Sequence, residues 1–166
     1  LLAPPSETVA ALPPPAEAAL TVAEEITLFD GRDPSVFESS AENPIHLEGD
    51  GTSGYARVIS TIASPGARAE IGPGLAQNLV GKTVRIRVAA RSSATGGSAL
   101  LRFAYEAAGE RSQWQPMLLS PEFVAGDLIW RVPVVGRDGH AIVIEPLDGD
   151  GTAVDVGEIK IEVLAP

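Results

Sequence analysis

The stretch Thr83-Val84-Arg85-Ile86-Arg87-Val88-Ala89-Ala90-Arg91 decides the fold. Val84, Ile86, Val88 and Ala90 recur at every second position, with Arg85, Arg87 and Arg91 on alternate positions. Successive side chains of a strand point to opposite faces, so this period of two predicts a strand with one face in a core and one in water. Working outward, alternating or β-rich runs recur at 26–29, 55–62 and 67–71, and then at 99–106, 115–119, 127–135, 140–145 and 158–164. Ser64-Pro65-Gly66, Gly72-Pro73-Gly74, Gly96-Gly97, Ala108-Gly109, Arg137-Asp138-Gly139 and Asp148-Gly149-Asp150-Gly151 supply the turns between them. Past residue 26 no segment has the spacing of an amphipathic helix, and 75–80 offers at most one turn. Eight or nine short strands joined by turns predict an all-β, antiparallel two-sheet sandwich. Parity places Val84, Ile86, Val88, Phe103, Trp130, Val132, Ile159 and Ile161 in its core.

Composition narrows the function classes. The 166 residues carry 12 basic and 22 acidic side chains, a net charge of −10, which argues against non-specific binding to nucleic acid or anionic lipid. No run of 18 apolar residues exists, so no transmembrane helix is expected. Cysteine is absent, which removes thiolate catalysis, iron–sulfur clusters and cysteine-ligated metals. Residues 1–25 hold seven Ala, five Pro and four Glu, without Gly, Lys or Arg. Pro13-Pro14-Pro15 excludes a continuous helix and favours polyproline II, so this arm reads either as a semi-rigid spacer or as a strap anchored through Val9, Leu12, Leu20 and Val22. The expected organisation is therefore a linker or strap over 1–25 and a β-sandwich domain over 26–166. No signal peptide is visible ahead of Leu1. The reading is an exported module, periplasmic or extracellular, with room for an anchor upstream of Leu1.

Two ends of the domain then point to a family. Leu28-Phe29-Asp30-Gly31 leads through a short loop to Phe37-Glu38, and Ala153-Val154-Asp155-Val156 runs into Gly157-Glu158-Ile159-Lys160-Ile161. Leu79-Val80-Gly81-Lys82-Thr83-Val84 introduces the long alternating strand between them. This order resembles the jelly-roll carbohydrate-binding modules and the wider galactose-binding-like domains, over about residues 26–164. Phe37 stands where a Trp often stands in that family. The resemblance implies a structural Ca2+ where the opening turn meets the closing strand, with Asp30 and Asp155 as carboxylate ligands and the Gly31 carbonyl beside them. Without the resemblance, both aspartates read as turn caps. Asp148-Gly149-Asp150-Gly151 lacks the distant Glu of an EF-hand loop and reads first as a hairpin turn.

A sugar site needs aromatic faces for the C–H side of the ring and planar polar groups for its hydroxyls. Parity puts Trp130 with Val132 and Val134, and Tyr105 with Leu101 and Phe103, so both rings read as core, the Tyr105 hydroxyl reaching an edge. Tyr55 shares its face with Arg57 and reads as solvent-facing. Trp114, between Gln113 and Gln115 and just after Arg111, has the polar neighbours a ligand platform needs, although a plug for the end of the sandwich is the competing reading. Arg85, Arg87 and Arg91 read as a ladder paired with carboxylates such as Glu145, Glu158 or Glu162, or as a docking surface for an acidic polymer. His46 and His140 stand alone, and no nucleophile elbow, phosphate loop or dinucleotide fingerprint occurs. The sequence therefore predicts a non-enzyme that binds glycan through Trp114, Gln113, Gln115, Arg111 and Tyr55, with no cofactor besides the implied calcium. The alternative is a protein-interaction subunit of an envelope complex, tethered through the arm.

Overall fold

The computed structural model describes residues 20–38, 45–49, 54–64 and 66–166. The expected spacer or strap falls outside the described residues up to position 19. Eleven strands are present among the described residues: β1 (Val22–Phe29), β2 (His46–Gly49), β3 (Gly54–Ile59), β4 (Ala67–Ile71), β5 (Thr83–Ser92), β6 (Leu100–Ala107), β7 (Glu110–Arg111), β8 (Gln115–Leu118), β9 (Val124–Arg131), β10 (His140–Pro146) and β11 (Ala153–Leu164). They form two antiparallel sheets. The six-stranded sheet runs β2-β3-β11-β5-β9 with β1 also on β11, and the five-stranded sheet runs β4-β10-β6-β7 with β8 also on β6. β1 begins at Val22, ahead of the boundary read at 26, because Val22 to Phe29 pair along Leu164 to Ile159.

The stretch that decides the fold behaves as its period requires. Val84, Ile86, Val88 and Ala90 are fully buried and share one core with Phe103, Tyr105, Ile142 and Ile144 of the other sheet. Each such aliphatic side chain removed from water contributes roughly 1.5–3 kcal/mol, which drives the two sheets together. Along β11 the buried set changes from even numbers (Val154, Val156) to odd ones (Ile159, Ile161, Val163). One unpaired residue must intervene, and a bulge at Gly157 supplies it, between Val156↔Ala90 and Glu158↔Ala89.

Four local expectations are corrected. A seven-residue helix, α1 (Pro73–Leu79), stands where one turn was expected. Pro73 opens it at a position whose N–H would be unbonded anyway, and Ala76 and Leu79, three apart, bury one face. Second, β9 ends at Arg131, so Val134 does not continue the face of Trp130 and Val132 and is 83% exposed. Third, the Tyr105 hydroxyl reaches no edge but donates to His140 Nδ1 at 2.9 Å, while His140 Nε2 donates to the Gly136 carbonyl at 2.8 Å. That carbonyl accepts only, which fixes the tautomer. Burial pushes the Tyr105 pKa well above its ordinary value. Fourth, eleven strands stand among the described residues where eight or nine were expected, in part because β2 and β7, at four and two residues, carry no period to count.

Candidate functional site

Strand parity and register define the outer face of the five-stranded sheet. Arg68 of β4 lies opposite Val143 of β10, which lies opposite Ala104 of β6. The next row reads Glu70, Ala141, Glu106, Arg111, and the row on the other side Glu145, Arg102, Pro116. Ala104, Ala141 and Val143 make a low floor, and all three are buried although they point outward. The long side chains beside them must lie across it. Arg68 bonds Glu106, and Arg102 donates to Glu145 at 3.1 Å.

Trp114 belongs to this face. The Arg102 guanidinium carbon lies 3.9 Å from the Trp114 ring centroid and that of Arg111 lies 4.6 Å away. The ring is half-buried against cations, outside the core cluster, which removes the plug reading of Trp114. A guanidinium over an indole is attracted by the ring quadrupole and keeps its in-plane donors for other partners. Arg111 has no carboxylate within ion-pair distance among the described residues and spends Nε on the Ser112 carbonyl at 3.3 Å. Gln115 sits in register with Phe103, on the core side of β8, and its amide donates to the Pro116 carbonyl at 3.1 Å. Gln113 is exposed, and its carbonyl accepts the Ser112 hydroxyl at 2.9 Å. Of the five residues expected to meet a ligand together, the fold joins only Trp114 and Arg111. It adds Arg102, Glu145, Arg68 and Glu106, which no local pattern marks, because only the pairing of β10 with β4 and β6, and of β6 with β8, sets them side by side.

Tyr55 stands on the other sheet, and so on the opposite side of the sandwich. Its hydroxyl donates to Glu48 at 2.9 Å, a bond that raises its pKa by holding the protonated form. Arg91 lies with its guanidinium carbon 4.7 Å from the Tyr55 ring and 4.5 Å from the Phe123 ring. Asp155 sits beneath, 1% exposed, and accepts from Arg91 Nε at 2.9 Å, Arg57 Nε at 3.5 Å and Ser93 Oγ at 2.6 Å. The bond to Asp155 raises the Arg91 pKa. The remaining ladder is paired as expected, though with partly different partners: Arg85 with Glu162, and Arg87 with Asp127 at 2.8 Å. Glu145 serves Arg102 on the opposite face, and Glu158 approaches Lys160.

These contacts bear on the calcium implied for Asp30 and Asp155. Calcium takes six to eight oxygen ligands. Asp155 is occupied by three donors, two of them cations that repel a dication, and Asp30 accepts the Arg32 backbone N–H at 3.0 Å as a turn cap. No group of three or more His, Asp or Glu side chains converges among the described residues. The donor set does not fit the ion. Asp148 and Asp150 likewise stitch loops, accepting from the Ala99 and Ile62 backbones at 2.7 and 3.1 Å.

No protein-family model and no curated protein matches the sequence. Solved structures do match the fold. The CBM22-1 xylan-binding domain from Paenibacillus barcinonensis Xyn10C superposes with a TM-score of 0.57 at 12% identity, covering 89% of this chain and 97% of that one. The apo CBM1 of BiXyn10A gives 0.54 at 18% identity, with 85% and 97% covered. The CBM22-1–GH10 modules of Clostridium thermocellum Xyn10B, complexed with xylohexaose, give 0.59 at 12% identity, with 84% of this chain and 28% of that longer one. The fold is that of the jelly-roll carbohydrate-binding modules, as the two ends of the sequence implied.

Proposed function

We propose that this domain is a non-catalytic glycan-binding module whose site is the outer face of the five-stranded sheet. The observation that carries the proposal is the Arg102–Trp114–Arg111 cluster beside the Arg102–Glu145 and Arg68–Glu106 pairs, over the small floor of Ala104 and Val143. Guanidinium and carboxylate groups already paired with each other present planar donors and acceptors in fixed positions, the complement of vicinal hydroxyls. Their mutual neutralisation suits an uncharged polymer. The indole supplies an apolar edge, and the guanidinium groups over it replace a bare stacking face. The xylan named for the structural neighbours makes β-1,4-xylan the first ligand to try.

The non-catalytic reading rests on how the titratable groups are engaged. His140 is locked between Tyr105 and Gly136, and Glu106 and Glu145 are spent on arginines. The Pro/Ala/Glu composition of 1–25 and the lack of cysteine support a module working outside the cytoplasm at the end of a spacer. The sparse exposed aromatics support the second reading, an assembly subunit held through that arm. Affinity electrophoresis in xylan, mannan and hydroxyethylcellulose gels tests the choice. Retardation in at least one gel, lost in Trp114→Ala and kept after deletion of residues 1–19, is the expected result. Migration unaffected by all three polymers, with a partner protein released by the same deletion, would overturn the glycan reading.

A further inference from the structure

Phe123 is the exposed member of the second aromatic cluster, at 41%, and several residues serve to hold it there. Its ring lies against Gly157, where a Cβ would come within 2.9 Å of Phe123 Cε1, so a larger residue at the bulge would push the ring aside. The Arg91 guanidinium lies over the ring, oriented through Nε by Asp155, which Ser93 and Arg57 hold in turn. Tyr55 covers Arg91 and is itself anchored by Glu48. The residues come from four strands, the β8–β9 loop and Ser93 just past β5, and the result is one preorganised aromatic–guanidinium surface. Preorganisation of this kind lowers the ordering cost of binding.

The charge count selects the ligand class. Arg57 and Arg91 balance Asp155 and Glu48, so the corner attracts neither anions nor cations. What remains is the exposed part of the phenyl ring for sugar C–H groups, with guanidinium and phenol edges for hydroxyls. A protein partner fits poorly. A standard interface takes about 800 Å² per side around a desolvated centre. The surface continuing from this corner is the Arg85–Glu162, Arg87–Asp127 and Lys160–Glu25 ladder, whose desolvation is costly.

We infer that the Phe123–Arg91–Tyr55 corner is a second glycan site, so that the module holds two polysaccharide segments on opposite faces of the sandwich. The inference rests on the glycan reading of the five-stranded sheet and extends it to bivalence. Sheets pack about 10 Å apart and each outer face adds its side chains, so a short oligosaccharide cannot span both sites. Bivalence would raise avidity for a polymer far above that for an oligomer.

Calorimetric titration with xylohexaose, cellohexaose and mannohexaose tests it on the full chain. The expected result is two hexasaccharides bound per domain. One is lost in Phe123→Ala and in Phe123→Leu, which keeps apolar volume without the ring, and the other is lost in Trp114→Ala. Melting temperatures of the Phe123 variants should stay within a few degrees of the parent, since the ring is outside the core. A single hexasaccharide, removed by Trp114→Ala and untouched by either Phe123 variant, overturns the second site and leaves the module reading standing. Binding of none of the three sugars overturns both. A protein captured by the parent and lost in Phe123→Leu, with one sugar bound throughout, would make the corner a protein-docking surface instead.

Discussion

The two outer faces of this sandwich are built from the same side chains, arginines and carboxylates on neighbouring strands, yet they differ in where the carboxylates sit. On the six-stranded sheet the acids Asp155 and Glu162 lie on β11, which is flanked on both sides, and their side chains are 1% and 4% exposed beneath arginines from the adjacent strands. On the five-stranded sheet the strand between β4 and β6 offers Ala141 and Val143 with a single acid at its end, Glu145 at 13% exposed, and the other charges stand on its flanks, with Glu106 at 31% exposed. The first arrangement ties strands together. The second leaves paired polar groups around a shallow floor, open to solvent. Position in the sheet, more than residue type, separates the structural ladder from the recognition surface we propose. The proposed Phe123 corner falls where the Gly157 bulge interrupts the pairing of the ladder face.

The contrast is most easily broken at Asp155. Removing one member of a buried charge cluster leaves the others desolvated and costs about 3–5 kcal/mol. Asp155→Ala should therefore lower the melting temperature by roughly 10 °C for a domain of this size. The loss should be the same in calcium and in chelator, since its partners are Arg91, Arg57 and Ser93. A melting curve that responds to calcium in the parent alone would return a metal to this carboxylate.

Glu145→Gln on the other face should cost far less, on the order of 1 kcal/mol, because Arg102 keeps solvent and Trp114 as partners. Its larger effect should be on glycan affinity. Equal destabilisation by Asp155→Ala and Glu145→Gln would erase the distinction between the faces.

The alkaline limb sharpens the account of the core between them. Tyr105 has its pKa raised by burial, so the folded protein keeps the phenol neutral while the unfolded chain ionises it at 10.0. Stability from this group is complete below that pH and declines as pH rises through and beyond it. Melting temperatures measured from pH 8 to 12 should fall above pH 10, and Tyr105→Phe should flatten that fall while costing the bond to His140. The smallest effect is expected at Arg87 and Asp127, each 40% exposed, where Arg87→Gln should change stability by no more than ~0.5 kcal/mol and less in high salt.

The sequence by itself determined the class of fold and most of the core, and it left the arginine ladder open between carboxylate pairing and a docking surface. Period two is a local property: Val84, Ile86 and Val88 need only their own spacing to show which way they face. The even-to-odd change from Val156 to Ile159 becomes a bulge only once the structure shows both buried runs on one strand, since two runs out of phase then require an extra residue. Of the candidate site, only Trp114 and Arg111 were legible. Which sheet Tyr55 joins, which acid meets which arginine, and that Arg102 and Arg111 share one indole follow from cross-strand register between segments up to about a hundred residues apart, as Arg57 and Asp155 are. Register is settled by how whole strands pack, through hydrogen bonds and burial summed along their length, and no local spacing encodes it.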